Sequence, residues 1–299
     1  MKIVFFGTPD FAVPSLEKLV RSDHEVVAVV TAPDKERGRG RKISFTPVKE
    51  FAVKFEIPLL QPEKMKDDNF YEELKSFDAD LFVIVAFRIL PERIFSMPKY
   101  GSFNLHGSLL PRYRGAAPIQ WAIMNGDKKT GLTTFFLEKQ VDTGNMLLTT
   151  ELPIGDDDDL GTMHDKMSMA GADLVLKTVE LIDSGNYNLQ KQDDTQASPA
   201  PKITKETCEI NWDKPARVIF NQIRGLSPFP GAYFTCNEKT YKVYKSKIIS
   251  DKKLNPSEIE TTKKEIYVGC SDCCVEILII QPEGRKRMTA EEFLRGYTF

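Results

Sequence analysis

Two polar residues, Asn104 and His106, alternate with apolar neighbours in the segment Phe-Asn-Leu-His-Gly at residues 103–107. Alternate residues of a β-strand point to the same face, so a strand here would present both side chains together. Neither residue is a good nucleophile at neutral pH. An Asn amide can nevertheless donate a hydrogen bond to a developing oxyanion, and a His can relay a proton beside it.

An acidic residue, Asp142, lies after the next predicted strand, in the turn Gln-Val-Asp-Thr-Gly at residues 140–144. A third group usually orients a catalytic His, and Asp142 is the carboxylate that we expect against His106. Because Asp-Thr-Gly is also a common turn sequence, a structural role for Asp142 stays open. Together, Asn104, His106 and Asp142 indicate acyl or one-carbon transfer to a nucleophile that arrives with the substrate.

The first half of the chain alternates short apolar runs with amphipathic segments. Strands are predicted at residues 3–6, 25–31, 80–86, 102–106 and 132–137. Helices are predicted at residues 11–21, 47–55, 69–77, 117–124 and 162–184. This alternation predicts a Rossmann-like, mostly parallel sheet with helices on both faces. Such sheets bind ligands at the carboxyl ends of their strands, where Gly7 and His106 lie.

The second half begins with a polar segment, residues 185–205, which holds two prolines and shows no hydrophobic periodicity. It predicts a linker between a domain at residues 1–184 and a domain at residues 206–299. In the later domain, helices are predicted at residues 215–224 and 290–294. Short strands are predicted at residues 232–236, 240–249, 265–270 and 274–280. This pattern predicts a small OB-like β-barrel, with an SH3-like barrel as the alternative.

The composition is that of a globular protein, with 41% hydrophobic and 28% charged residues among 299. No apolar run approaches the roughly 20 residues that span a bilayer. The five cysteines are odd in number and fit a reducing compartment better than a disulfide framework. We therefore expect a cytoplasmic protein.

A basic segment, Lys-Glu-Arg-Gly-Arg-Gly-Arg-Lys at residues 35–42, contrasts with the net charge of −2 of the whole chain. The part from Cys208 to the carboxyl terminus carries a net charge of +3. A basic loop and a mildly basic second domain indicate a polyanionic partner such as nucleic acid. The alternative is an ordinary solvated loop.

Other motifs argue against several classes of protein. The turn at Gly7 lacks the further glycines of the dinucleotide fingerprint, which disfavours a nicotinamide oxidoreductase, and no P-loop sequence occurs. The cluster of Cys270, Cys273 and Cys274 offers one CxxC pair without the second pair of a structural zinc site. The acidic run at residues 156–159 is typical of a solvated helix start. We therefore expect no metal.

The segments around these residues resemble a known family. Asn-Leu-His-Gly-Ser-Leu-Leu-Pro at residues 104–111, continued by Arg-Tyr-Arg-Gly-Ala-Ala-Pro to Pro118, is similar to the signature of the folate-dependent formyltransferases. The segments at residues 6–11, 32–49, 227–233 and 278–288 are similar to other parts of the same family. The resemblance covers essentially the whole chain, and it is strongest to the branch of the family that acts on tRNA.

That resemblance implies formyl transfer from 10-formyltetrahydrofolate to the α-amino group of methionine on initiator tRNA. It implies that Asn104 binds the formyl oxygen and that His106 stabilises the oxyanion and relays protons. It implies that Asp142 either orients and charges His106 or takes the amine proton through water. The turn implied to bind folate comprises Ser108, Leu109, Leu110 and Pro111, and residues 85–91 would line the pterin pocket. The loop implied to bind tRNA carries Lys35, Arg37, Arg39, Arg41 and Lys42. The expected oligomeric state is a monomer.

The chain departs from the family pattern at two places. Arg88 stands where the family keeps a Gly in the segment at residues 85–91, and no Gly precedes Asp142 by two positions. The main alternatives are a formyltransferase that acts on an amino-sugar nucleotide or on glycinamide ribonucleotide, and a non-catalytic RNA-binding protein. A small substrate would need neither the basic loop nor the second domain.

Overall fold

The computed structural model describes residues 1–37 and 42–299. Within them the chain divides into two compact units. The first unit comprises Met1–Gly115, Gly131–Leu152 and His164–Pro199, and the second comprises Ala116–Thr130, Pro153–Met163 and Ala200–Phe299. The predicted boundaries of the domains and of the linker stay predictions. Among the helices of the described residues, none combines the length and apolar character needed to cross a bilayer.

The first unit is built on a large sheet. The strands of the first unit, inside and outside this sheet, are β1 (Lys2–Gly7), β2 (Glu25–Val30), β3 (Lys35–Arg37), β4 (Lys42–Ser44), β5 (Leu59–Leu60), β6 (Leu81–Val85), β7 (Ser102–His106), β8 (Arg114–Gly115), β9 (Lys129–Phe136) and β10 (Met146–Pro153). The sheet has the order β10-β9-β7-β6-β1-β2-β5, and β3 pairs with β4 in a separate hairpin. Strands β7, β6, β1, β2 and β5 are parallel, whereas β9 is antiparallel to β7.

Helices alternate with these strands along the chain. They are α1 (Val13–Val20), α2 (Pro47–Lys54), α3 (Asp68–Ser76), α4 (Glu92–Phe95), α5 (Pro118–Met124) and α6 (Leu160–Ser184), of which α5 belongs to the second unit. Val4 and Phe6 pack with α3 on one face of the sheet, and the alternate residues Ile3 and Phe5 are buried as well. Both faces are therefore covered, as a doubly wound sheet requires.

The second unit contains an antiparallel sheet. Its elements are β11 (Pro199–Ala200), α7 (Lys205–Cys208), α8 (Ala216–Gly225), β12 (Ala232–Cys236), β13 (Lys239–Ile249), β14 (Ile259–Thr261), β15 (Ile266–Gly269), β16 (Cys274–Pro282), β17 (Met288–Thr289) and α9 (Ala290–Gly296). The strand order is β12-β13-β16-β15-β14, with β17 also on β16. The register shifts on both sides of Lys245 within β13, and such irregularities bend a sheet.

The predicted fold class is confirmed by this architecture, a mostly parallel sheet in the first unit and a bent antiparallel sheet in the second. Strand β7 has the predicted bounds, and α3 and α8 lie within one residue of theirs. Among the described residues, the predictions missed eight strands, β3, β4, β5, β8, β10, β11, β14 and β17, and the two short helices α4 and α7. Strand β5 has only two residues, too few for periodicity to register.

Candidate active site

Strand β7 presents Asn104 and His106 to one face of the sheet. Its neighbour β6 places Ile84 beside Asn104, on the face where Phe6 and α3 pack. The intervening residue, Leu105, lies against α6, where a side chain added at Gly171 would touch it. The period of two in the sequence therefore orients the pair as predicted. His106 is 6% exposed, and Asn104 is half-buried.

The strand ends place the pair at the expected edge of the sheet. Because β1, β6 and β7 are parallel, Gly7, Val85 and His106 end their strands at the same edge. Strand β2 runs in the same direction and leads into the β3–β4 hairpin. The carboxyl edge is where open parallel sheets bind ligands, so the site has the location that this fold favours.

The two ring nitrogens of His106 have different partners. Nε2 lies 2.8 Å from the carbonyl oxygen of Tyr113, whereas Nδ1 lies 4.0 Å from Oδ2 of Asp142. A carbonyl oxygen only accepts hydrogen bonds, so Nε2 carries a proton and donates it. In neutral His106 the free lone pair is therefore on Nδ1, the nitrogen that faces the carboxylate. Nδ1 is thus the atom that can accept a proton.

The carboxylate of Asp142 is too far from His106 for a direct hydrogen bond. Its Oδ2 instead accepts a hydrogen bond of 3.0 Å from the backbone N–H of Gly115. The Asp142 side chain is 13% exposed, so water screens its charge only weakly. The carboxylate therefore attracts a positive charge on His106 across the 4.0 Å between Oδ2 and Nδ1. Asp142 can therefore stabilise a protonated His106, while the carbonyl of Tyr113 fixes the orientation of the ring.

Two residues of this site adopt the left-handed backbone conformation. Tyr113 has φ = 59° and Asp142 has φ = 56°. This region is uncommon for residues other than Gly, and a bulky side chain such as that of Tyr is rare there. Gly144 completes the turn, where an added Cβ would lie 1.7 Å from the carbonyl oxygen of Phe136. The turn around Asp142 thus depends on contacts that hold it in place.

The turn after β7 is fixed to β9. Thr133 donates a hydrogen bond to the carbonyl of Ser108 (2.8 Å) and accepts one from the N–H of Leu110 (3.1 Å). The hydroxyl of Ser108 is fully buried and donates to the carbonyl of Arg112. Leu110 is buried as well, whereas Leu109 and Pro111 are partly exposed. Of the predicted folate-contacting residues, Leu109 and Pro111 therefore have accessible side chains.

The departure at Arg88 has a structural consequence. Its guanidinium donates to the carbonyls of Glu63 (3.1 Å) and Pro62 and lies 5.6 Å from the ring of Phe87. Partial burial lowers the pKa of Arg88 from its usual value. The segment after β6 is thus tied to the segment after β5 by a side chain that a Gly could not supply.

The basic loop is described in part. Residues 35–37 and 42–44 pair as the antiparallel strands β3 and β4, with Lys35 opposite Ser44. The backbone of Lys35, Arg37 and Lys42 thus belongs to a hairpin at the carboxyl edge of the sheet. Arg39 and Arg41 lie outside the described residues.

Two contributors to the site were missed by the sequence analysis. The carbonyl of Tyr113 gives no signal in a sequence, because every residue has one. Gln192 lies in the segment predicted as a linker, yet it is 5% exposed and donates to the carbonyls of Asp142 and Gly144. A single buried Gln in a polar segment has no periodicity to reveal it.

The cysteine cluster is part of the core of the second unit. Burial raises the pKa of the Cys270 thiol to about 12, and it also raises the pKa of Cys273 and Cys274. These thiols are therefore protonated at neutral pH. No group of three or more His, Cys, Asp or Glu side chains suited to a metal ion occurs within residues 1–37 and 42–299.

Comparisons with known proteins agree with the class that this site suggests. The model of the formyl transferase family matches residues 1–179, and the model of the formyl transferase C-terminal domain matches residues 202–298. The chain therefore belongs to the formyl transferase family, which confirms the predicted resemblance.

The most informative relatives are methionyl-tRNA formyltransferases. The protein of that name from Bacteroides thetaiotaomicron is 44% identical to this chain over 99% of the chain and 96% of its own length. The one from Caldanaerobacter subterraneus is 46% identical over 99% of the chain and 97% of its own length. The similarity thus extends over both units.

Solved structures share the fold at lower identity. A methionyl-tRNA formyltransferase from Clostridium thermocellum superposes with a TM-score of 0.58 at 18% identity, over 84% of this chain and 95% of its own. An N-formyltransferase from Helicobacter canadensis, bound to folinic acid and dTDP-3-aminofucose, superposes at 0.72 with 20% identity, over 96% of this chain and 100% of its own. At these identities the likeness concerns the fold alone.

Proposed function

We propose that this protein transfers a formyl group from 10-formyltetrahydrofolate to the α-amino group of methionine esterified to initiator tRNA, the reaction that prepares the tRNA for translation initiation in the cytoplasm. The observation that carries this proposal is the similarity of 44–46% identity, over nearly the full length, to methionyl-tRNA formyltransferases. It is a transferase of the formyl group, and the amine of the substrate is its nucleophile.

The donor set of the site fits this chemistry. Formyltetrahydrofolate supplies a formyl carbon that an amine can attack, with a tetrahydrofolate nitrogen as the leaving group. The half-buried amide of Asn104 donates to the formyl oxygen as it becomes an oxyanion. Among the described residues, no hydrogen bond between the Asn104 side chain and another residue competes for this role.

His106 and Asp142 act together in the transfer of the proton that the attacking amine loses. Nδ1 of His106 accepts the proton that the attacking amine loses, and it returns the proton to the departing nitrogen. Nε2 keeps its hydrogen bond to the carbonyl of Tyr113 throughout, which holds the ring in one orientation. The carboxylate of Asp142, 4.0 Å from Nδ1, stabilises the imidazolium between the two transfers.

We place the folate beside the turn that follows β7. Leu109 and Pro111 provide partly exposed apolar side chains, and Ser108 and Leu110 keep the turn in shape from inside the fold. The segment after β6 adds Phe87, which is half-buried and contacts Phe6. Apolar surface with a few fixed polar groups is typical of a site for a small organic molecule.

Each unit offers a surface suited to RNA. In the first unit the β3–β4 hairpin contains the backbone of Lys35, Arg37 and Lys42 from the basic segment, at the same edge of the sheet as His106. In the second unit, a groove of about 820 Å³ is lined by Lys202, Lys205 and Lys242 together with Phe229, which is 75% exposed. Cations and exposed rings together suit the phosphates and unpaired bases of a tRNA end.

The test is a formyl-transfer assay with 10-formyltetrahydrofolate and four acceptors in parallel: methionyl initiator tRNA, free methionine, an amino-sugar nucleotide and glycinamide ribonucleotide. We expect product from the tRNA alone. Transfer only to a small acceptor would keep the chemistry and reject the tRNA. Absence of transfer to every acceptor would favour a non-catalytic RNA-binding protein.

The basic loop should affect the tRNA and leave the folate unaffected. We expect the double substitution Arg39→Ala with Arg41→Ala to raise the KM for tRNA at least several-fold without changing the KM for the formyl donor. For every phosphate that the variant no longer neutralises, the slope of log kcat/KM against log salt should fall by about 0.7–0.9.

The matched control is Lys18→Ala with Arg21→Ala. It removes the same charge at the carboxyl end of α1, ahead of β2 and thus at the opposite edge of the sheet. An unchanged salt slope in the loop variant, or an equal effect in the control, would contradict specific binding of tRNA by the loop.

A further inference from the structure

Gln192 uses every hydrogen-bonding position of its side chain. Nε2 donates to the carbonyl oxygens of Asp142 (3.0 Å) and Gly144 (2.9 Å). Oε1 accepts from Nε (3.0 Å) and Nη2 (2.7 Å) of Arg114. A primary amide has two N–H donors and two acceptor sites, so all four are occupied. The side chain is 5% exposed, which makes these contacts stronger than they would be at the surface.

The path of the chain brings Gln192 to this place. The backbone of Gln190 donates to and accepts from that of Met146, at 3.0 and 2.8 Å. The segment after α6 therefore runs beside the start of β10, directly after the turn that contains Asp142. Gln192 follows two residues later and contacts that turn.

The turn requires such support. Asp142 has a positive φ, and Gly144 fits only because it has no side chain. The two carbonyls that Gln192 binds lie on either side of Thr143, so one amide group clamps the centre of the turn. A conformation of this kind persists where surrounding contacts determine it.

Both the backbone carbonyl and the side-chain carboxylate of Asp142 are connected to the dipeptide Arg114–Gly115. The carbonyl of Asp142 reaches Arg114 through Gln192, and its carboxylate accepts the N–H of Gly115. The Nη2 of Arg114 that donates to Gln192 also donates to Oδ1 of Asp194, at 2.7 Å. Gln192 thus fixes the backbone of Asp142, and the N–H of Gly115 fixes one oxygen of its carboxylate.

We propose that Gln192 is a positioning residue for Asp142, one that holds the carboxylate beside Nδ1 of His106 by clamping the turn at residues 142–144. The inference rests on the proposed roles of Asp142 and His106. Gln192 contacts neither His106 nor the reacting atoms, and it acts on the reaction only through Asp142.

Two substitutions test this role. Gln192→Met removes the donors and the acceptors. Gln192→Glu keeps an acceptor for Arg114 but replaces the donors to the turn by a carboxylate oxygen, which the carbonyls of Asp142 and Gly144 repel. We expect both to lower kcat about 10- to 100-fold, with the KM for tRNA and for the formyl donor within twofold, since misplacement of a catalytic group by 1 Å can cost about 100-fold. The control is Gln190→Met, whose side chain is exposed; it should leave kcat unchanged.

A double-mutant cycle separates positioning from general stability. In an Asp142→Ala background, Gln192→Met should cost less than about threefold, because the carboxylate that it positions is already gone. The same fold-loss in both backgrounds would overturn the proposal, because Gln192 would then act independently of Asp142.

Hydrogen exchange of the backbone amides tests the clamp without an activity assay. In Gln192→Met and Gln192→Glu, the amides of residues 138–146 should exchange faster than in the unsubstituted protein, and in Gln190→Met they should not. Unchanged exchange in both Gln192 variants would overturn the clamp. If the unsubstituted protein transferred formyl to no acceptor, the proposed function would fail, while this measurement would still decide the contact.

Discussion

The substitution His106→Ala is expected to lower kcat for formyl transfer by about 10²–10⁴-fold, the range in which a positioned acid–base group contributes. The variant loses the ring nitrogen that the structure places opposite Asp142, so the amine proton must leave through solvent. The KM for tRNA and for the formyl donor should stay within about threefold, because His106 is 6% exposed and has little surface to offer a ligand.

The control for this experiment is His164→Ala. His164 belongs to α6, and its ring nitrogens lie 3.6 Å from Asp10 and 3.1 Å from Asp165. It should leave kcat nearly unchanged. Loss of tRNA binding in His106→Ala, with normal thermal unfolding, would place His106 in the RNA interface and reject the proton relay.

The substitution Asn104→Ala is expected to lower kcat about 100- to 1,000-fold, as the loss of one oxyanion donor does in other acyl-transfer enzymes. Asn104 is half-buried on β7 between Ile84 and Phe135, so truncation should leave the strand pairing intact. The stabilisation that it supplies belongs to the transition state, and therefore kcat and kcat/KM should fall together.

Asn104→Asp refines this test. The aspartate has the same shape but no N–H donor, and it places a negative charge where the oxyanion forms. We expect it to be at least as inactive as the alanine variant. The control is Asn186→Ala, an exposed residue after α6. A nearly normal kcat in Asn104→Asp would show that Asn104 does not serve as an oxyanion donor.

The sequence by itself determined strand β7 and the direction of its side chains. The period of two along β7 places Asn104 and His106 on one face, because successive residues of any strand point to opposite faces. The alternation of strands and helices likewise determined a parallel sheet and the edge at which a site would form. These inferences need only local geometry, which short stretches of sequence record.

Only the tertiary structure decided which groups complete the site. From the sequence, Asp142 was expected to orient His106. In the structure, the hydrogen bond that orients the His106 ring is to the carbonyl of Tyr113. Asp142 is hydrogen-bonded to Gly115 and Gln192. Gln192 lies 50 residues beyond Asp142 and 78 beyond Arg114. Hydrogen bonds over such separations depend on how β10 and the segment after α6 pack together. No spacing within one element records that packing, so only the folded chain reveals these contacts.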